Sequence, residues 1–424
     1  MILKVRKSST SGRVKIPGSK SHTIRGLFFA SLAKGKSEIK NPLISGDAES
    51  AIETCKALGA KIQMLGDKYV IEGFNGEPST PCDVINVGNS GTTLRFGTVT
   101  AALAEGYSVF TGDYQIRKRP LGALLKAVNN LGGQALSTRN NDMAPVIVKG
   151  KIKGGFTDLD SITSQYLSAL LINAPLFEKD TEINITRLNE IPYVDITLWW
   201  LDKFGIKYEN NNYKSFYIKG GQRYNAIDAT IPGDFSSATF FAVQAAISGG
   251  EFTLENLDIN DPQGDKEVFS ILGDMGASVK VEDGSITIKG NGLKGREIDM
   301  NAIPDALPAM AVAACFAEGV TKLVNVPQAR LKETDRIKVM CEELSKMGAD
   351  IKELEDGLVI KRSNLKGCRL KGYDDHRIVM ALSLAGLNAE GETTIDTAEA
   401  IKVTFPEYVE LMKNSGADMD FVAE

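Results

Sequence analysis

At 424 residues the chain is long for one core, so two domains are expected. Hydrophobic residues make up 43% and charged residues 24%, and the net charge of −5 argues against a general nucleic-acid binder, which carries a basic excess. Five cysteines without a C-x-x-C pair and only two histidines, His22 and His376, exclude zinc-site spacing and suit reduced thiols in a cytoplasmic protein.

In chain order, the opening "MILKVRKSSTSGRVKI" holds no apolar signal core, and no later apolar run approaches the ~18 residues of a membrane span. Six helix-like segments then close in a similar way: "CKALGAKI", "VNNLGGQA", "LDKFGIKY", "LGDMGASV", "LSKMGADI" and "MKNSGADM". Their glycines, Gly59, Gly132, Gly205, Gly276, Gly348 and Gly416, lie 68 to 73 residues apart. Such a period marks a repeated supersecondary unit, and glycine after the last turn is the expected left-handed cap. A second helix in each copy is predicted to begin near Ser21, Gly91, Ser164, Ser236, Asp305 and His376. These helices carry apolar runs such as "ALPAMAVAACFAEG" and lead mostly into strands such as "EFTLENL". The unit reads β-α-β-α-β-β, with about three copies per domain and helices buried under sheets.

The N-termini of the second helices carry the polar clusters "SKSHTIR", "GNSGTTLR", "SITSQY", "GDFSSAT", "IPDALP" and "DDHR". A helix N-terminus exposes unpaired N–H groups and about half a positive charge. Ordinary capping accounts for any one cluster. It does not account for Arg25, Arg95 and Arg377 in or near the first turn, because a cation there is unfavourable without an anion beside it. The pattern predicts an anionic ligand of several charges. That ligand is not read as a nucleotide. The Walker-like "ASLAKGKS" closes a helix and leads into a strand, the reverse of a P-loop, and in "PGSKS" Ser19 stands before Lys20 where glycine is required.

Three further runs concentrate charge. "TGDYQIRKRPLGALL" sets Arg119 before Pro120 at a helix start; "ARLKETDRIKVM" packs Arg330, Lys332, Glu333, Asp335 and Arg336 together; "DDHR" supplies Asp374, Asp375, His376 and Arg377. Each alone reads as a solvated face. Among such cations Asp305 and Glu333 could accept and donate protons, while "IPDALP" reads equally as a proline-bounded N-cap.

Taken in order, "PGSKSHTIR", "GNSGTTLR", "RKRPLGAL", "TSQYLSALL", "IPDALPAMA", "LKETDRI", "DDHRIVMAL" and "TFPEY" resemble the 5-enolpyruvylshikimate-3-phosphate synthase family over nearly the whole chain. The resemblance implies transfer of an enolpyruvyl group from phosphoenolpyruvate to the 5-hydroxyl of shikimate 3-phosphate, releasing phosphate, on the route to chorismate and aromatic amino acids. It implies no cofactor and no metal. The α/β fold implied is a two-domain inside-out α/β barrel with three βαβαββ repeats per domain. Residues 20–233 would form one domain and residues 1–19 plus 234–424 the other, with the active site in a cleft that closes on ligand. The implied partners are two small molecules, with no nucleic acid or membrane, and the protein would be a cytoplasmic monomer.

Position by position, the resemblance gives Lys20 to both substrates and Ser21 and Arg25 to shikimate 3-phosphate. Thr163 and Ser164 would hold the shikimate phosphate, Gln165 would lie between the substrates, and Tyr193 would stand beside the shikimate ring. Asn89, Gly91, Arg119, Arg336 and Arg377 would form the phosphoenolpyruvate pocket, with His376 adjacent. Asp305 would accept the hydroxyl proton, Glu333 would give a proton to the methylene, and Lys332 would meet the shikimate phosphate. The sequence departs from the family at Glu190, where many members have serine, and at Gln328, where asparagine commonly meets shikimate 3-phosphate. Val403 stands in place of a lysine before "TFP", with Lys402 one position earlier; Ser90 and Phe96 replace alanine and proline. A UDP-N-acetylglucosamine enolpyruvyl transferase would share fold and donor but usually carries a reactive cysteine before its "RP", absent from "GDYQIRKRP". A non-catalytic anion-binding scaffold would have no use for Asp305 and Glu333.

Overall fold

The computed structural model describes residues 1–423, which divide into two compact units, Met1–Pro17 with Pro232–Glu424 and Gly18–Ile231. Unit Gly18–Ile231 carries helices α1 (Lys20–Leu32), α2 (Gly46–Ala57), α3 (Gly91–Ala101), α4 (Gly122–Asn130), α5 (Ser164–Asn173) and α6 (Ile191–Lys203). The other unit carries α7 (Phe235–Ser248), α8 (Glu267–Met275), α9 (Leu307–Phe316), α10 (Arg336–Lys346), α11 (His376–Asn388) and α12 (Tyr408–Asn414). Odd-numbered helices are apolar nearly all round and buried nearly all round, as in α9, where every residue from Leu307 to Cys315 is buried. Even-numbered helices bury one face, such as Leu124, Leu125, Ala127 and Val128 of α4.

Six four-stranded sheets cover these helices, and all six share one pairing scheme. In one of them the short strand Asp228–Thr230 runs parallel to Lys36–Lys40, which pairs antiparallel with Lys68–Glu72, and that with Lys61–Leu65. Each unit closes on itself through its chain ends. Asp228–Thr230, at the end of one unit, supplies the first strand of that unit's first copy. In the other, Ile2–Arg6 lies between Glu392–Ile395 and Asp418–Val422, and Gly12–Lys15 pairs with Glu251–Glu255.

The six predicted glycine caps all adopt positive φ, from 65° at Gly205 to 123° at Gly276. A second glycine set was not anticipated. Gly73, Gly150, Gly220 and Gly290 follow the last strand of their copies, where a Cβ would press into carbonyls of Ala33, Ala104, Lys179 and Ala245. Five of the six odd-numbered helices are capped by a side chain, from Ser19, Ser90, Thr163, Asp234 and Asp375. The fifth copy differs from the prediction. Pro304–Ala306 form a 3₁₀ turn, α9 begins only at Leu307, and no side chain caps it, so Asp305 is not a capping residue. Among the described residues no helix is long and apolar enough to cross a membrane.

Candidate active site

In unit Gly18–Ile231 the predicted residues gather at the N-terminal ends of α1, α3 and α5. Lys20 opens α1, and its ammonium lies 3.1 Å from Asp47, in the first turn of α2. One turn on, Arg25 is buried, and all its partners are neutral. Nε donates to Thr197 Oγ1 (2.8 Å), Nη2 to the Tyr193 carbonyl (2.8 Å) and Ser168 Oγ (3.3 Å), and Nη1 to the Ser21 carbonyl (3.1 Å). Its guanidinium also lies over the Phe96 ring, at 5.3 Å. Burial pulls the Arg25 pKa down to about 9 against a smaller opposing effect of Tyr193. The group is still charged at neutral pH, so an anion beside it would restore what burial costs.

The α3 end is built around Asn89 and Gly91. Asn89 donates to Asp113 (2.6 Å) and Gln115 and accepts from Arg119 Nη2 (3.3 Å). A Cβ on Gly91 would lie 2.6 Å from Arg119 Nη1 and would also crowd Arg95, so glycine leaves room for two guanidinium groups over the helix end. Arg95 donates to the Pro120 carbonyl and faces the Tyr166 ring.

At α5 the site is already filled. Thr163 Oγ1 (3.1 Å), Ser164 N (3.1 Å) and Ser164 Oγ (2.8 Å) all donate to one atom, Oε2 of Glu190. Glu190 is the position that departs from the family pattern, and it is buried. Gln165 follows with its side-chain oxygen buried and unbonded among the described residues.

In the other unit one ionic network collects most of the predicted residues. Arg336, fully buried, reaches Asp305 (2.9 Å), Glu333 (2.6 Å) and Asp375 (2.8 Å). Burial works against its charge, but Asp375, Glu333 and Asp305 together outweigh this and hold the guanidinium above its usual range. Asp305 also meets Arg377 (3.0 Å) and Lys332 (3.8 Å), so three cations surround one carboxylate. Asp375 caps α11 by accepting from the Arg377 amide and takes the Thr334 hydroxyl as well. His376 is buried beside it, 3.9 Å from Nδ1 to Asp375 Oδ1. The solvated-face reading holds for Arg117, Lys118 and Asp374, which are exposed, whereas Arg330 and Asp335 are half-buried and pair with each other while Asp335 caps α10.

Some predicted residues stand apart from these clusters. Gln328 donates to the Asn301 carbonyl and keeps its side-chain oxygen buried and, among the described residues, unbonded, and Lys402 is exposed in a 3₁₀ turn. The sequence assigned no role to Asp47 or to Asp265, and to Asp375 only that of a helix cap. Asp265 comes from the loop "DPQGDK", whose Gln263 side chain bridges the Gly233 carbonyl and the Phe235 amide and so grips the start of α7. Its buried carboxylate accepts from Ser236 Oγ. Burial first, then the charge of Asp305, push its pKa up to about 7, opposed by Arg377. Two acids in five residues, "DPQGD", beside a glycine that opens a helix were the available signal.

The EPSP synthase (3-phosphoshikimate 1-carboxyvinyltransferase) family model matches residues 5–412. The chain is 74% identical to a 3-phosphoshikimate 1-carboxyvinyltransferase of Acetivibrio thermocellus, over 99% of each chain, and 64% identical to one of Ruminiclostridium cellulolyticum over the full length of both. Among solved structures it resembles the EPSP synthase of Acinetobacter baumannii, with a TM-score of 0.83 and 29% identity over 99% of each chain.

Proposed function

The chain belongs to the EPSP synthase (3-phosphoshikimate 1-carboxyvinyltransferase) family, and on that premise we propose how its own residues divide the reaction. The reaction moves the enolpyruvyl group of phosphoenolpyruvate onto the 5-hydroxyl of shikimate 3-phosphate. The bond from hydroxyl oxygen to C2 forms as the hydroxyl proton leaves and C3 gains a proton. The C2–O bond to phosphate then breaks as the new methyl group returns a proton, restoring the double bond.

In this reading Lys20 touches both substrates, and Ser21, Arg25, Thr163, Ser164, Gln165, Tyr193, Gln328 and Lys332 hold the acceptor. Asn89, Gly91, Arg119, His376, Arg336 and Arg377 hold phosphoenolpyruvate. Asp305 takes the hydroxyl proton and Glu333 supplies the proton to C3. The observation that carries this assignment is the network at Arg336. Asp305 lies against three cations and Glu333 is paired to Arg336 at 2.6 Å, so both carboxylates are tied to the cations that the substrates would meet. A substrate carboxylate and phosphate compete for those same cations, loosening both acids only when there is something to react.

The partners are then two small anions, and the protein works as a cytoplasmic monomer without nucleic acid or membrane. Phosphate release from phosphoenolpyruvate, measured with shikimate 3-phosphate and in parallel with UDP-N-acetylglucosamine, tests the reading. Release is expected with the first acceptor alone, and its absence there overturns the proposal.

A further inference from the structure

Glu190 is out of place in an anion site. Its Oε2 takes three hydrogen bonds at the N-terminus of α5, from Thr163 and Ser164, where unpaired amides and the helix dipole favour negative charge. The same residue stands immediately before α6, yet among the described residues its side chain makes no capping bond to that helix. Its backbone is left-handed, φ 61° and ψ 43°, a conformation that a non-glycine residue keeps only where its surroundings hold it. Asn189 supplies that hold, through its amide to the Ser161 carbonyl and its side chain to the Ile162 carbonyl. The backbone is therefore pinned, and the carboxylate can leave by rotation of its side chain alone.

We infer that Glu190 is an internal stand-in for the acceptor's phosphate, occupying its cradle and competing with it for Thr163 and Ser164. The inference rests on the acceptor reading proposed above, and deepens it by naming a residue that sets acceptor affinity. A phosphate dianion and this carboxylate cannot share three donors. Two like charges at hydrogen-bond range repel, and each would leave the other short of partners. Phosphate entry thus requires Glu190 to turn away. While the site waits, the carboxylate keeps the Thr163 and Ser164 donors paired inside a buried site, where donors left unbonded are costly.

The test is titration calorimetry of wild type, Glu190→Ser and Glu190→Gln with two probes, shikimate 3-phosphate and inorganic phosphate. Serine removes the competing charge and offers a hydroxyl donor. Glutamine keeps the volume and an acceptor oxygen but not the charge, and carries the same test should the serine variant fail to fold. Removing the competitor is expected to tighten both probes about tenfold or more, in line with a charge-assisted hydrogen bond. The KM for shikimate 3-phosphate should fall in parallel, with that for phosphoenolpyruvate unchanged. A folded variant that binds both phosphates no more tightly than wild type overturns the inference. The proposed function fails separately, if wild type binds inorganic phosphate but turns over no shikimate 3-phosphate.

Discussion

Arg25 and Asp265 pose opposite electrostatic problems, and each yields a measurement. Arg25 is a buried cation with neutral partners, so the missing charge must come from a ligand. Replacing it by alanine leaves Thr197 and Ser168 still bonded to each other at 2.9 Å, which spares the fold. Arg25→Ala should raise the KM for shikimate 3-phosphate roughly 100-fold, as expected for loss of a charged partner to phosphate, with little change in melting temperature. An unchanged KM would remove Arg25 from the acceptor site. Asp265 is a buried acid whose pKa is raised to about 7 from 3.8, chiefly by burial and next by Asp305. In the unfolded chain it loses its proton near 3.8, so the folded state binds the proton more tightly. Stability therefore declines as pH climbs from about 4 to about 7, and the loss is complete above that. Asp234, Asp305 and Arg377 are the charges that act on it. Asp265→Asn has no such titration, so urea denaturation should show the variant gaining on wild type through this window. A constant stability difference from pH 4 to pH 8 would contradict it.

At the scale of helices and turns, two glycine substitutions separate what serves the fold from what serves the site. Gly290→Ala would press a Cβ to 2.6 Å from the carbonyls of Ala245 and Ala246, backbone atoms that cannot move aside. Gly91→Ala meets the ends of two flexible arginines, which can move. The first should lower the melting temperature and leave the KM values of the remaining folded protein alone. The second should leave melting nearly unchanged and raise the KM for phosphoenolpyruvate about tenfold, by displacing Arg119. Parallel effects of both on melting would show that Gly91 is structural. The repeat was legible in the sequence because a helix end needing a left-handed cap accepts little but glycine, six times over. The odd-numbered helices were legible because burial on all sides demands unbroken apolar runs. Asp305 was visible as a candidate, but its 3₁₀ turn was not, since Pro304 and Pro308 suit a helix start and a tighter turn alike. Asp375 looked like a plain cap because its second task, holding Arg336, depends on a residue 39 positions away. Glu190 stood out only as a departure; that it fills the α5 site is a tertiary fact with no local sequence signal.

Over the whole chain, the order of residues and the order of structure disagree at one end, and this decides how each unit can fold. Residues 1–17 belong with Pro232–Glu424, so the rest of that unit follows them only after all of Gly18–Ile231 has been interposed. Unit Gly18–Ile231 is closed by its own ends, through Asp228–Thr230 against Lys36–Lys40, and its expressed segment should fold alone with one cooperative thermal transition. Residues 232–424 should not fold alone. Without Ile2–Arg6 the strands Glu392–Ile395 and Asp418–Val422 lose the partner between them, and Leu3, Val5, Val14 and Ile16 leave the core. At about 2 kcal/mol for each buried side chain, that loss rivals the ~5–15 kcal/mol net stability of a domain. The register supplies the rescue. Ile2 pairs with Val422 in an antiparallel ladder, so a short turn can join the end of the chain to its beginning. Residues 232–424 followed by a short glycine-rich turn and residues 1–17 should regain a cooperative melt and native-like circular dichroism. If residues 232–424 fold equally well without that addition, the strands at the chain start do not complete their unit; if 18–231 alone stays unfolded, closure by its own ends does not suffice for that one.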